Sequence, residues 1–282
     1  MCIGKWVQVS LVLTLLLIVA GFASSQGEGG LEEVIVQFSD ARGDDVGAGA
    51  LLYPEHEVYV QGLFDLVRFQ VSRDDDSIYF DFGFATITNP FQAPEGYFHQ
   101  RLEVYIRTGE SQGQTSVPIG AYTLQTASEL GWNIRLSIAP FDESRLYLVD
   151  KDSQIHVSSD GIRSCRFPDS ETLRVQVNSA LLPQPDSAWG YYVLAGAFDG
   201  LAQGFWRDLG DGPWQVGGNG IPVFDILAPR FGKHGQRAQL GAGVLHPVSA
   251  KDVTYLPWLV GTVFVLVCLG VFFLWRWRRG RS

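Results

Sequence analysis

Nine short stretches of alternating apolar and polar residues constrain this chain more than any other feature. They are "LEEVIVQF", "LVRFQVS", "SIYFDFGFATI", "RLEVYIRT", "NIRLSIAPF", "SRLYLVD", "QIHVSS", "TLRVQVN" and "WGYYVLAGAF". Each is rich in β-branched and aromatic residues and has the two-residue period of a strand. Turn-forming segments such as "SRDDDS", "TNPFQAPEG", "VDKDSQ", "SSDGIRS" and "LPQPDS" separate them. Away from the two ends, helix-like sequence is confined to 179–182 and 224–227. So many short strands at hairpin-like spacing imply two packed antiparallel sheets. The expected fold class is all-β, an antiparallel β-sandwich. Within "RLEVYIRT", Arg101, Glu103 and Arg107 are spaced as the polar face of a half-buried strand.

The ends read differently. Residues 1–25 carry one basic residue, Lys5, then a long apolar run and the small residues Ala23, Ser24 and Ser25. That order predicts a secretory signal peptide; retention of the run as an uncleaved anchor is the alternative. Residues 255–275 hold no charge and reach the length of about 20 residues that spans a bilayer core. Tyr255, Trp258, Trp275 and Trp277 sit at interfacial positions, and the tail 276–282 carries Arg276, Arg278, Arg279 and Arg281. The expected organisation is a single ectodomain at 31–247, a juxtamembrane tether at 248–254 and one C-terminal transmembrane helix. The ectodomain is then extracellular on the plasma membrane, and the basic tail is cytoplasmic. Between residues 28 and 252 there are 16 basic and 30 acidic residues, a net of −14. Nucleic acid is disfavoured as a partner, because phosphate contacts need clustered Lys and Arg. Cys165 is the lone cysteine of that region, so it holds no internal disulfide, and the fold must rest on its core.

Catalytic templates are absent. The five histidines have no HExxH spacing, there is no Gly-x-Ser-x-Gly elbow, and no helix is expected after "LGDGPWQVGGNG" to receive a phosphate. The expectation is a protein that is not an enzyme. The stretch "QFSDARGDDVGAGALLYP" carries more chemistry. Asp40, Asp44 and Asp45 crowd one loop bent by Gly43, Gly47 and Gly49, and their mutual repulsion calls for a cation or an arginine. Calcium takes six to eight hard oxygen ligands, and Asp65 and Asp225 are candidates to complete its shell from distant strands. A plain turn, with Asp side chains capping backbone N–H groups, is the competing reading. Arg42, Gly43 and Asp44 also spell an adhesion tripeptide. Two aromatic-rich stretches, 89–100 and 189–219, pair flat rings with amide and acidic groups, as sugar-binding surfaces do. Their candidate contacts are Tyr97, Gln100, Trp206, Arg207, Asp208 and Trp214, whereas Trp189, Tyr192 and Phe198 read as core.

Several longer motifs occur in a fixed order: "FSDARGDDVGAGALLYP", "GLFDLVRFQV", "GFATITNPFQAPEGYFHQRLEVYI", "SAWGYYVLAGAFDG", "GFWRDLGDGPWQVGG" and "VFDILAP". Over about residues 31–240 the chain resembles the glucodextranase-like C-terminal domain, a DOMON-like β-sandwich appended to amylopullulanases and glucodextranases. The resemblance implies an accessory module that binds carbohydrate or associates with the cell surface, since glycoside chemistry in those enzymes belongs to separate catalytic domains. It also implies structural calcium at the Asp-rich loop, with Ala48 standing where the family commonly has proline. The resulting expectation is a membrane-anchored, non-catalytic module for a polysaccharide or oligosaccharide, with α-glucan a candidate ligand. An envelope-organising module that binds a protein partner is the alternative, and a glycan-active enzyme the second.

Overall fold

Alternating sequence becomes two antiparallel sheets in the computed structural model, which describes residues 32–109, 113–168, 170–230 and 232–250. Expectations for residues 1–25, 255–275 and 276–282 fall outside these. Among the described residues no helix is long and apolar enough to cross a membrane. One sheet has five strands in the order Glu33–Ser39, Leu66–Arg73, Ser77–Phe84, Thr172–Asn178, Ile162–Arg166. The other has seven. Six run in the order Ile155–Ser158, Arg145–Val149, Ile134–Ile138, Gln100–Arg107, Gly190–Ala197, Val223–Ile226, and Val248–Ser249 pairs with the start of Gly190–Ala197. Each of the nine expected stretches overlaps one of these strands.

The sheets face each other across an apolar core. Val36, Phe69, Val71, Phe80, Phe82 and Val175 of the first sheet meet Leu102, Val104, Leu136, Tyr191 and Val193 of the second. Tyr191 stands edge-on to Phe69 and Phe38, with ring centroids 5.3 and 6.1 Å away. Each such side chain, fully buried, contributes roughly 1.5–3 kcal/mol. The seven-stranded sheet also has a covered outer face. Tyr105, Tyr192 and Leu194 pack there against Val117 and Leu124 of the hairpin Ser116–Ile119/Tyr122–Thr126, and against Trp132, Trp206, Leu240 and Leu245.

This second core corrects the reading of "RLEVYIRT". Arg101 and Glu103 do share a face, but that face is buried: Arg101 is 1% exposed and Glu103 0%. Glu103 accepts hydrogen bonds from Arg101 (2.5 Å) and from both Nε and Nη2 of Arg135 (2.7 and 2.6 Å). The remaining Arg101 donors reach the carbonyls of Leu102, Ile138 and Gly204 and the hydroxyl of Ser137. A strand covered on both sides tolerates such charges only when they are paired and bonded.

Other departures have local causes. Residues 224–227 are not helical, because Val223–Ile226 adds to the sheet edge beside Gly190–Ala197. The end of "SSDGIRS" is no mere turn. Ile162–Arg166 pairs with Thr172–Asn178 as an edge strand whose outward residues need not be apolar. The helix Gln236–Ala242 falls where no helix is expected, although Gly243 ends it in the left-handed conformation (φ 69°), a common helix stop. Val244–Leu245 then runs parallel to Gln125–Thr126, and Val248–Ser249 joins the large sheet. The fold therefore continues past residue 247, where the tether was expected to begin.

Candidate functional site: an acidic corner and an aromatic surface

The loop after strand Glu33–Ser39 brings its aspartates to the ends of two other strands. Asp65 immediately precedes Leu66–Arg73, and Asp225 lies within Val223–Ile226, so hydrogen-bonded sheet edges set their positions. Ligand oxygens of Asp44, Asp65 and Asp225 all lie within 4.8 Å of one another. Two oxygens bound to one calcium ion at about 2.4 Å each are at most about 5 Å apart, so the spacing suits a shared ion. Each of the three carboxylates, and Asp40 beside them, has a buried oxygen without a hydrogen-bond partner. Their other contacts are few: the Gly43 amide donates to Asp65 (3.0 Å) and the Leu66 amide to Asp225 (2.7 Å).

The electrostatic consequence is uniform. Burial, then repulsion from Asp44, pushes Asp40 up to about 8. Burial and then the charge of Asp40 hold Asp225 well above the ordinary carboxylate range. Asp44 and Asp65 are raised too, by burial first, with neighbouring aspartates adding to it. Orphaned, mutually repelling oxygens at this spacing fit a divalent cation that takes oxygen ligands. Asp45 does not share their situation. It is fully buried, and its carboxylate accepts hydrogen bonds from the Tyr53 hydroxyl and from Gln61 (3.4 Å). Its place is to anchor the loop rather than to offer free oxygens. The Arg42-Gly43-Asp44 tripeptide is likewise built into the corner through the Gly43–Asp65 bond.

The aromatic candidates separate into core and surface. Tyr97 and Gln100 are buried, the latter donating to the carbonyls of Leu63 (2.8 Å) and Thr86 (3.3 Å). Trp206 is 1% exposed and lies with Arg101 5.5 Å from its ring centroid. Its six-membered ring fills the space above Gly196, where an added Cβ would come within 2.1 Å of it. These three side chains are interior and present no face to a ligand. Arg207 is also buried. It donates to the Trp214 carbonyl (2.8 Å) and the Phe198 carbonyl (3.0 Å) and pairs with Asp199 (3.1 Å), so it holds the loop that carries Trp214. Asp208 is exposed.

Trp214 does reach the surface, at 36% exposure, stacked on His56 with centroids 3.7 Å apart. Phe91 (46% exposed) lies 6.3 Å from it, and Phe98 links Phe91 to Phe141 (44% exposed). The rings form one connected surface, backed by Phe198. Its backbone is unusual: Gln92, Phe141, Asp142 and Phe205 all have positive φ, between 54° and 62°. Such conformations are costly for non-glycine residues and persist where surrounding bonds impose them. Here Glu95 accepts the amides of Phe141 and Asp142 (3.1 and 2.7 Å), and Asn89 brackets Ala93 with two 2.8 Å bonds.

A family model for the SLH-like C-terminal binding module of glucodextranase matches residues 35–244. The chain belongs to that family. The match spans both sheets, the acidic corner and the aromatic surface. No curated protein matches the chain. Membership makes a binding surface, rather than a reaction centre, the feature to look for in this fold.

Sequence reasoning missed several residues of these sites. His56, Phe91 and Phe141 lie on separate loops, and each alone reads as a packing residue. Gln236 gives no signal at all. Its carboxamide accepts the Ile226 amide (2.8 Å) and donates to the carbonyls of Asp44 and Gly47, tying the helix to the acidic corner.

Proposed function

We propose that this protein is a membrane-anchored, non-catalytic extracellular module that binds carbohydrate on its aromatic surface and is stabilised by calcium at its acidic corner. The observation that carries the reading is the connected surface of Trp214, His56, Phe91 and Phe141, held by strained but well-bonded loops on a binding-module fold. Flat rings stack against the C–H faces of sugars, and a rigid platform loses little entropy on binding. Asp208, exposed on the loop between Trp206 and Trp214, is a candidate partner for hydroxyls. Polysaccharides and oligosaccharides fit this chemistry, with α-glucan the first to test. Anchoring rests on the uncharged segment 255–275 and its basic flank. Calcium rests on the orphaned oxygens of Asp44, Asp65 and Asp225, with Asp40 alongside.

Titration of the full-length protein against a panel of α-glucans and envelope polysaccharides tests the assignment. Binding to at least one, weakened about ten-fold or more by Trp214→Ala at unchanged melting temperature, is the expected result. A folded protein that binds none of them would rule the ligand class out.

A further inference from the structure

Between the loop at 41–47 and the residues Arg230 and 232–238 lies a cleft of about 590 Å³. That size falls within the roughly 300–1,000 Å³ of small-molecule sites. Its lining includes three arginines, Arg42, Arg230 and Arg237, against a single carboxylate, Asp44. The region between residues 28 and 252 carries 16 basic and 30 acidic residues. Three cations around one opening therefore run against the charge of the surrounding surface, and a cleft concentrates their field.

The arginines are placed differently. Arg42 acts on Asp65 and Arg230 on Asp44, each opposing the rise of the carboxylate it faces. Arg237 lies over Gly49, where an added Cβ would come within 2.5 Å of Nη2, so the bare backbone makes room for the guanidinium. All three arginines are exposed, and among the described residues neither Arg42 nor Arg237 enters an ion pair. Gly43 and Gly232 leave open space on the rim, with no atom within 4 Å of where a side chain would begin.

Guanidinium groups recognise oxyanions through paired, charge-assisted hydrogen bonds, and they repel cations. A neutral sugar gives three of them nothing to neutralise. We propose that the cleft receives an oxyanion carried by the glycan, a sugar carboxylate or a sugar-linked phosphate, held by Arg42 and Arg237 with Arg230 beside them. The proposal deepens the carbohydrate-binding reading and rests on it for the polymer that carries the charge. The aromatic surface would then bind sugar faces, and the cleft would select acidic chains over neutral ones.

Isothermal titration of the full-length protein at constant free calcium tests this with three probes. They are trigalacturonate, its fully methyl-esterified neutral form, and a phosphodiester-linked sugar repeat. An anionic probe should bind about ten-fold or more tighter than the neutral ester, and the anion that does so names the source. Arg42→Gln combined with Arg237→Gln should erase that advantage while leaving the protein folded and its affinity for the neutral ester unchanged. Equal affinity for charged and neutral probes, or an advantage that survives the double substitution, overturns the cleft assignment. Failure of the aromatic reading looks different: the neutral ester does not bind, and Trp214→Ala changes nothing.

Discussion

Glu103 and Asp225 lie on strands that flank the same central strand, paired with its adjacent residues Leu194 and Ala195. Both are 0% exposed. Adjacent positions point to opposite faces of a sheet, and the two carboxylates meet opposite surroundings. Burial alone would raise Glu103, but the charges of Arg135 and Arg101, with their hydrogen bonds, outweigh it and hold its carboxyl below the usual range. Asp225 receives one backbone amide and faces Asp40, Asp44 and Asp65, so burial and repulsion act together and raise it. One network closes within the protein; the other leaves buried oxygens of Asp40, Asp44, Asp65 and Asp225 without a hydrogen-bond partner. The same cost of burying charge is thus offset by paired arginines in one place and left uncompensated in the other, where the proposed ion would act.

Breaking the closed network should have the largest effect. Glu103→Ala leaves Arg101 buried without its carboxylate, and a loss of about 3–5 kcal/mol is expected by chemical denaturation, the same with calcium or chelator. The open corner should respond to the ion instead. Calcium at a hundred-fold excess over its Kd adds about 2.7 kcal/mol, or roughly 5–10 °C in melting temperature. Asp65→Asn with Asp225→Asn should abolish that gain and, in chelator, melt above the unaltered protein because repulsion is relieved. A double variant that keeps the calcium response would place the ion elsewhere.

The two regions should also show opposite pH dependence. Asp40 binds its proton more tightly folded than unfolded. Its contribution is therefore full below the ordinary aspartate value near 4 and is lost as pH rises through about 8. Glu103, with its folded value lowered, contributes above the ordinary glutamate range and loses that contribution as pH falls through its depressed folded value. Melting curves in chelator should thus decline from about pH 4 to pH 8, and calcium should flatten the decline. A chelated protein equally stable across that window would contradict the assignment. The smallest effect is expected at the surface. Arg73 and Glu33 form a 2.9 Å pair with side chains 32% and 61% exposed, and Arg73→Ala should cost less than about 1 kcal/mol in the same denaturation assay.

How far these features were legible follows from the range of the forces that make them. The alternation in "TLRVQVN" is a local pattern, and its strand spans the same residues, Thr172–Asn178. Crowding of Asp40, Asp44 and Asp45 is local as well, and it signals that something must relieve the charge. Which of them keeps a free oxygen is not local. Tyr53 and Gln61 take up Asp45, while Asp65 and Asp225 come from 20 or more residues away to join Asp44. Trp206 and Trp214 are alike in sequence, both flanked by glycine-rich loop. One fills the space over Gly196 and the other lies at the surface on His56, a distinction made by the second core.

By itself, then, the sequence determined the all-β class, most of the strands, and the acidic loop, because two-residue periodicity and like-charge crowding act between near neighbours. The tertiary structure alone decided that Arg101 and Glu103 are interior, that Arg207 positions Trp214, and that three arginines share a cleft. Those outcomes depend on which surfaces meet when the outer face of the large sheet is covered, and burial, unlike periodicity, is a property of the assembled chain.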